Sequence, residues 1–148
     1  MKFNKTTEYA FRILSYMAIE ESRSYSVDEI FEKLHIPYRY LRKLMTNLSK
    51  SNFLYSIQGK NGGYKISGKL EDIKLLNLIE VVDPDYLVSN CFFGIENCSR
   101  ESTCIMHDQW DGVRTHINTI LANTSLADIK QGNNQNKIVL NTFHSLKT

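Results

Sequence analysis

Apolar residues recur with a helical period over residues 5–20. Tyr9, Ile13, Tyr16 and Met17, flanked by Ala10, Phe11 and Leu14, make one wide face. Glu20-Glu21-Ser22-Arg23-Ser24 breaks the pattern. Ser26-Val27-Asp28-Glu29 then opens a second helix as a capping box, in which the Ser26 hydroxyl accepts a backbone N–H and Glu29 reaches back. Val27, Ile30, Phe31 and Leu34 are its inward positions, and it is predicted to end near His35-Ile36. Pro37 suits the first turn of a third helix, where its missing N–H costs nothing. Tyr40, Leu41, Leu44, Met45 and Leu48 form the buried face of that helix. Tyr38, Arg39, Arg42, Lys43, Asn47 and Lys50 fall mainly elsewhere.

The period then changes from helical to alternating. Phe53-Leu54-Tyr55-Ser56-Ile57 and Tyr64-Lys65-Ile66-Ser67 flank Gln58-Gly59-Lys60-Asn61-Gly62-Gly63, which predicts a β-hairpin with a glycine-rich tip. A fourth helix is expected from Leu70 to Val82, stopped by Asp83-Pro84-Asp85. Residues 86–104 read as a loop. A long helix follows from about Ile105 to Asn123, striped by Trp110, Val113, Ile117, Ile120 and Leu121. Ser125 caps a last short helix over 125–129, and the Asn/Gln-rich stretch from Asn133 to Thr148 reads as poorly ordered.

The predicted fold is mainly α with a small β-hairpin wing. It is a winged helix-turn-helix over 1–82, followed by a loop over 83–104, a long dimerisation helix with its short successor over 105–131, and a tail over 132–148. In such an order the third helix enters the major groove of double-stranded DNA and the wing touches phosphates or the minor groove. Charge supports that reading. Residues 1–70 hold twelve Lys/Arg against six Asp/Glu, whereas residues 71–148 hold six against ten. The candidate DNA-binding residues are Tyr38, Arg39, Arg42 and Lys43 on the third helix and Gln58, Lys60 and Asn61 on the wing. The stripe of the long helix needs a partner, and a homodimer would supply one and match two-fold half-sites.

Three cysteines, the chain's whole complement, fall within fourteen residues, and a histidine follows the last: Cys91, Cys98, Cys104 and His107. The odd count argues against a purely internal disulfide framework. No apolar run reaches the roughly 18 residues that span a bilayer, and no signal-peptide block opens the chain, so a cytoplasmic protein with reduced thiols is expected. Thiolates bind zinc, copper(I) and iron–sulfur clusters. The spacing Cys-x6-Cys-x5-Cys-x2-His lacks the close Cys pair common in zinc sites, which favours an iron–sulfur cluster. Phe92, Phe93, Ile95, Ile105 and Met106 are placed to shield it. No Ser/His/Asp set, phosphate loop or paired-carboxylate site stands out, so no enzyme and no small-molecule substrate are expected. A cluster-free regulator acting through thiol oxidation is the second reading.

Several motifs together resemble one family. These are Thr7-Glu8-Tyr9-Ala10, Ile36-Pro37-Tyr38-Arg39-Tyr40-Leu41, Gly59-Lys60-Asn61-Gly62-Gly63-Tyr64, Ile79-Glu80-Val81-Val82-Asp83, and Cys104-Ile105-Met106-His107-Asp108-Gln109-Trp110. From residue 1 to about 130 the chain resembles the Rrf2-type winged-helix transcription regulators, above all their IscR-like iron–sulfur branch. The resemblance implies a homodimer whose DNA binding depends on a cluster. It also implies a two-iron, two-sulfur cluster held by Cys91, Cys98, Cys104 and His107, one that an air-exposed preparation can lack. The nitric-oxide-sensing NsrR branch holds a four-iron cluster with an acidic residue of the partner chain as fourth ligand, and Glu8 occupies that region here. The Cys-x2-His spacing favours the two-iron form. Gln58 stands where many relatives carry arginine, and the third helix has Pro37, Arg39 and Arg42 where IscR-like members have smaller or acidic residues. The first cysteine gap is one residue longer than in the commonest IscR-like pattern. A different operator is therefore expected.

Overall fold

The computed structural model describes residues 3–88, 91–95 and 104–136. Helix α1 (Lys5–Met17) starts at Asn4, whose side chain accepts the Thr7 amide at 2.8 Å, and tightens into a 3-10 turn over Ala18–Glu20. Helix α2 (Val27–Leu34) is capped as expected by Ser26, which accepts the Glu29 amide at 3.1 Å. The other half of the predicted capping box is not made. The Glu29 carboxylate instead takes the Arg23 guanidinium at 3.0 and 2.5 Å and the Tyr16 hydroxyl at 3.2 Å. A bidentate charged donor outcompetes a neutral amide. The Arg23 hydrogen bonds hold the Glu29 carboxyl below the usual carboxylate range.

His35 turns the chain out of α2 in the left-handed region, at φ 51°, and Pro37 leads into α3 (Tyr38–Lys50). Leu41, Leu44, Met45 and Leu48 are buried, as their spacing predicts. Phe31, expected inward, is exposed, because its ring packs edge-on against Tyr38 at 5.5 Å instead of entering the core.

The hairpin forms from β1 (Leu54–Ile57) and β2 (Gly63–Ile66), antiparallel, with Leu54 opposite Ile66 and Ile57 opposite Gly63. Tyr25, unassigned by the sequence pattern, joins its edge. Its N–H and C=O each bond Tyr64 at 2.8 Å. Gly63 makes that approach possible. It sits at φ 155°, and a Cβ there would lie 2.4 Å from the Tyr25 carbonyl oxygen. Gly63→Ala is expected to destabilise the protein by more than about 1 kcal/mol in denaturant melts. A stability equal to wild type would show that the bridge can be dispensed with.

The predicted helix from Leu70 is split. A 3-10 turn covers Leu70–Asp72, and α4 begins only at Leu75 and runs to Val82. Between them the backbone pairs with the downstream chain. The Ile73 carbonyl accepts the Leu126 amide at 2.9 Å, and the Leu75 amide donates to Thr124 at 3.0 Å. A further short helix, α5 (Asp85–Val88), follows Pro84 in what reads from sequence as loop. The long helix α6 (Met106–Asn123) matches expectation. The last helix, α7 (Leu126–Asn136), is longer than expected and passes through Gly132 into the Asn-rich stretch. Residues 137–148 of the expected tail lie outside the described residues.

A reciprocal cap explains the firm start of α7. Asp128 accepts the Ser125 amide at 2.8 Å and its hydroxyl at 2.6 Å, while the Asp128 amide donates to Ser125 Oγ at 3.2 Å. These bonds lower the Asp128 pKa. A carboxylate with a depressed folded pKa stabilises the fold above its unfolded pKa, and that contribution is lost as pH falls towards the folded value. Asp128→Asn is therefore expected to be less stable than wild type at neutral pH and to converge on it in acid. Parallel melting curves at all pH values would contradict this.

One core joins these parts. Ala10, Ile13, Leu14 and Met17 of α1 pack with Ile30, Leu41, Met45, Leu48, Leu54, Leu78 and Leu126. Helix α7 lies against α1 and both 3-10 turns, and α6 lies along α4. Leu121 alone among the residues of α6 is buried.

Candidate DNA interface and metal centre

The alternation that buries one side of α3 leaves the other side to solvent. Tyr38, Arg39, Arg42 and Lys43 are all exposed there, as predicted. Their spacing of three and four residues puts them on adjoining turns of one face. Tyr38 is held at the start of that face: Phe31 packs on its ring, and the nearby Asp28 carboxylate raises the phenol pKa. Arg39, Arg42 and Lys43 are exposed cations of the face, the arginines able to fork onto base edges or phosphates and the lysine to meet phosphate as a point charge.

Lys43 also borders a cleft of about 450 Å³ that runs from α3 to the start of α1, lined by Thr6, Tyr40, Leu44, Thr46, Asn47 and Lys50. The Thr6 and Tyr40 hydroxyls hydrogen-bond each other across it. Asn47 and Lys50 were legible as exposed polar positions. Thr6 was not, because only the packing of α1 onto α3 brings it there.

At the wing, Gln58, Lys60 and Asn61 are exposed at the tip. The turn closes with the Gly62 amide on the Gly59 carbonyl at 2.9 Å. The Ser24 hydroxyl donates to the Asn61 carbonyl at 3.3 Å. Together with the Tyr25–Tyr64 pairing, this ties the wing to the loop before α2.

The cysteine stretch is built differently. Cys91 is buried at the head of a bend, closed by the Gly94 amide on the Cys91 carbonyl at 3.0 Å, with Gly94 at φ 74°. Cys104 precedes α6, and its carbonyl accepts the His107 amide at 3.1 Å. Cys104 and His107 are half-buried. Phe92 joins the two pieces: its ring meets Trp110 at 5.6 Å, edge to face. Phe92 directly follows Cys91 in the chain, and Trp110 lies three residues after His107 on α6. Cys98 lies outside the described residues. Among the described residues, no three His, Cys, Asp or Glu side chains converge as a metal cluster. The expected shield is also open in a single chain, because Phe92, Phe93, Ile95 and Ile105 are 53%, 63%, 58% and 87% exposed. Glu8, the alternative ligand, sits on α1 with its carboxylate 2.7 Å from the Lys5 ammonium.

The donor chemistry fits an iron centre. Thiols and an imidazole suit iron, and the neighbouring Trp110 keeps a buried indole N–H with no hydrogen-bond partner among the described residues. On α6 beyond Trp110, Val113 and Ile120 are half-exposed, at 49% and 51%. No helix among the described residues is long and apolar enough to cross a membrane.

Comparison with known proteins bears on this arrangement. The family described as Rrf2, iron-dependent transcriptional regulator, matches residues 3–132. A putative HTH-type transcriptional regulator of Aquifex aeolicus is 30% identical over 131 residues, covering 87% of this chain and 91% of its own length. Among solved structures, CymR, the global cysteine regulator of B. subtilis, superposes with a TM-score of 0.75 at 20% identity, covering 88% of this chain and 97% of the other. T. potens IscR does so with a TM-score of 0.74 at 21% identity, covering 94% and 93%. The winged-helix architecture is shared with both.

Proposed function

The chain belongs to the Rrf2 family of transcriptional regulators, and from that premise we propose a homodimeric, cytoplasmic regulator whose binding to a DNA operator is controlled by an iron–sulfur cluster. The observation that carries the proposal is the Phe92–Trp110 contact, which joins the residue after Cys91 to the start of α6. Cys91, Cys98, Cys104 and His107 would hold the cluster, in the two-iron form that the Cys-x2-His spacing favours. Bound there, it would supply a redox-responsive, oxidant-sensitive group.

The rest of the reading is carried by this chain's own residues. Tyr38, Arg39, Arg42 and Lys43 meet the major groove, while Gln58, Lys60 and Asn61 meet the flanking backbone or minor groove. The far end of α6 is fixed to the DNA-binding core by the strand-like pairing of Ile73 and Leu75 with Thr124 and Leu126. Its near end is borne by the cysteine stretch. A change at the cysteines therefore acts at one end of a rod whose other end is anchored in the winged helix. In a two-state dimer this biases which separation of the two α3 helices is populated.

An amphipathic helix with one buried residue needs another surface, and a second copy of α6 supplies it. Ile120→Glu is expected to weaken the dimer and shift sedimentation at micromolar concentration towards the monomer, because it sets like charges against each other across an apolar seam. An unchanged dimer would place the interface elsewhere. The test of the whole reading is anaerobic purification with iron and sulfide quantified, together with absorption and EPR spectra. A coloured protein with iron and sulfide is expected. A colourless protein holding stoichiometric zinc overturns it.

A further inference from the structure

The indole N–H of Trp110 is the unusual group near the cysteine stretch. It is buried from solvent and has no hydrogen-bond partner among the described residues. Buried indole N–H groups almost always donate to something, because leaving one unpaired costs about 1–3 kcal/mol. The helix cannot satisfy it, since an indole has no reach back to its own backbone ladder. Phe92 meets the ring edge to face, and its side chain carries no oxygen or nitrogen acceptor.

The position narrows what the missing acceptor is. Trp110 lies three residues after His107, so it follows His107 on the same face of α6. The ring that touches it belongs to the residue directly after Cys91. The indole thus touches the neighbour of Cys91 and lies about one helical turn after His107, two of the donors assigned to the cluster. A phenylalanine would fill the same apolar contact without the cost of a stranded polar hydrogen.

We infer that the Trp110 N–H donates a hydrogen bond to sulfur at the cluster site, either a ligand thiolate or a bridging sulfide. Trp110 is then a positioning and tuning residue, not an iron ligand. The inference rests on the cluster reading above. Sulfur carries more negative charge in the reduced cluster than in the oxidised one, so an N–H donor stabilises the reduced form more. The one electron of reduction is supplied in the test below by dithionite. Trp110 would thus raise the potential at which the regulator changes state, and so set its threshold.

The experiment uses the full-length protein purified anaerobically, wild type and Trp110→Phe, with iron and sulfide measured in both. Redox titration with dithionite, followed optically, is expected to give a more negative midpoint in Trp110→Phe at equal iron content. Equal midpoints at equal iron content overturn the inference and leave the cluster reading intact. An absence of iron and sulfide in wild type overturns both. Trp110 is the chain's one tryptophan, which gives a second readout that does not depend on the variant taking up iron. Wild type grown with 15N-indole-labelled tryptophan, then reduced, is expected to show coupling of the cluster spin to that nitrogen and to one exchangeable deuteron in pulsed EPR. Neither coupling appearing would also overturn it.

Discussion

Arg39→Ala and Arg42→Ala are each expected to weaken operator binding by about 1–3 kcal/mol, roughly 5- to 150-fold, if they read bases. Both side chains stand on the exposed face of α3 next to Tyr38, away from the core residues Leu41, Leu44 and Met45. Their loss should leave folding unchanged, since surface substitutions away from caps and ion pairs stay within about 0.5 kcal/mol. The mode of loss is as informative as its size. A base-reading arginine loses its effect when the contacted guanine is changed. A phosphate-binding one weakens all sequences alike and lowers the salt slope. Lys60, on the wing tip, belongs to the second kind: Lys60→Ala should reduce the slope of log K against log salt by about 0.9, with little change in sequence preference. Fluorescence anisotropy over a salt series separates these cases. Unchanged affinity in all three variants would remove this face from the DNA interface.

The DNA-binding half was legible because its signals are local. Ser26 caps α2, Pro37 begins α3, and Gly59 and Gly62 turn the wing, each through rules that act within four residues. What escaped the sequence was set by contacts far along the chain. The break at Ile73 and Lys74 exists because Thr124 and Leu126 offer backbone partners some fifty residues later. No helical period records that. Tyr25 bonding Tyr64 is of the same kind, and its trace in the sequence is the otherwise unexplained second glycine of Gly62-Gly63. Glu29 shows the reverse. Its spacing from Ser26 satisfied a motif, yet a stronger partner three residues before the cap, Arg23, claimed its carboxylate. The composition of the end of α7, from Asn133, argued against order, and a good cap together with a buried Leu126 at its start carried the helix that far.

The helix-ending pairing also changes how the molecule is divided physically. Helix α7 packs on α1 and on the turn before the wing-facing loop, and Lys130 reaches Glu21 at 3.4 Å. The segment following α6 is therefore in contact with the stretch that leads into Ser24 and Tyr25, the residues that tie down the wing. Both candidate DNA-binding elements, α3 and the wing, are thus reached from the anchored end of α6 through the packing of α7 on α1 and the loop before α2. Rotation of α6 would carry them together rather than bend one against the other.

The second large effect is expected at Cys104. Cys104→Ala should purify with little or no iron and sulfide, losing the visible absorption of the wild type, while its melting temperature in the metal-free state stays close to wild type. The two halves of that expectation come from different facts. Cys104 lies at the foot of α6, its carbonyl bonded to the His107 amide, so its thiol and the imidazole share the entry to one helix. Removing a thiolate ligand removes a bond for which a methyl group has no substitute. The thiol is half-exposed and stands outside the core residues that hold the winged helix together, so the apo fold does not depend on it. His107→Ala is expected to be milder: iron retained in part, with a shifted spectrum, because an exchangeable ligand can replace imidazole more readily than thiolate. The pair of variants also separates the cluster from a simple thiol switch. A thiol switch would respond to Cys104→Ala in its DNA binding under oxidant, with no colour at any stage, and would not register His107→Ala. If instead Cys104→Ala keeps full iron and the wild-type spectrum, the cysteine is no ligand, and the assignment of the cluster to the foot of α6 fails.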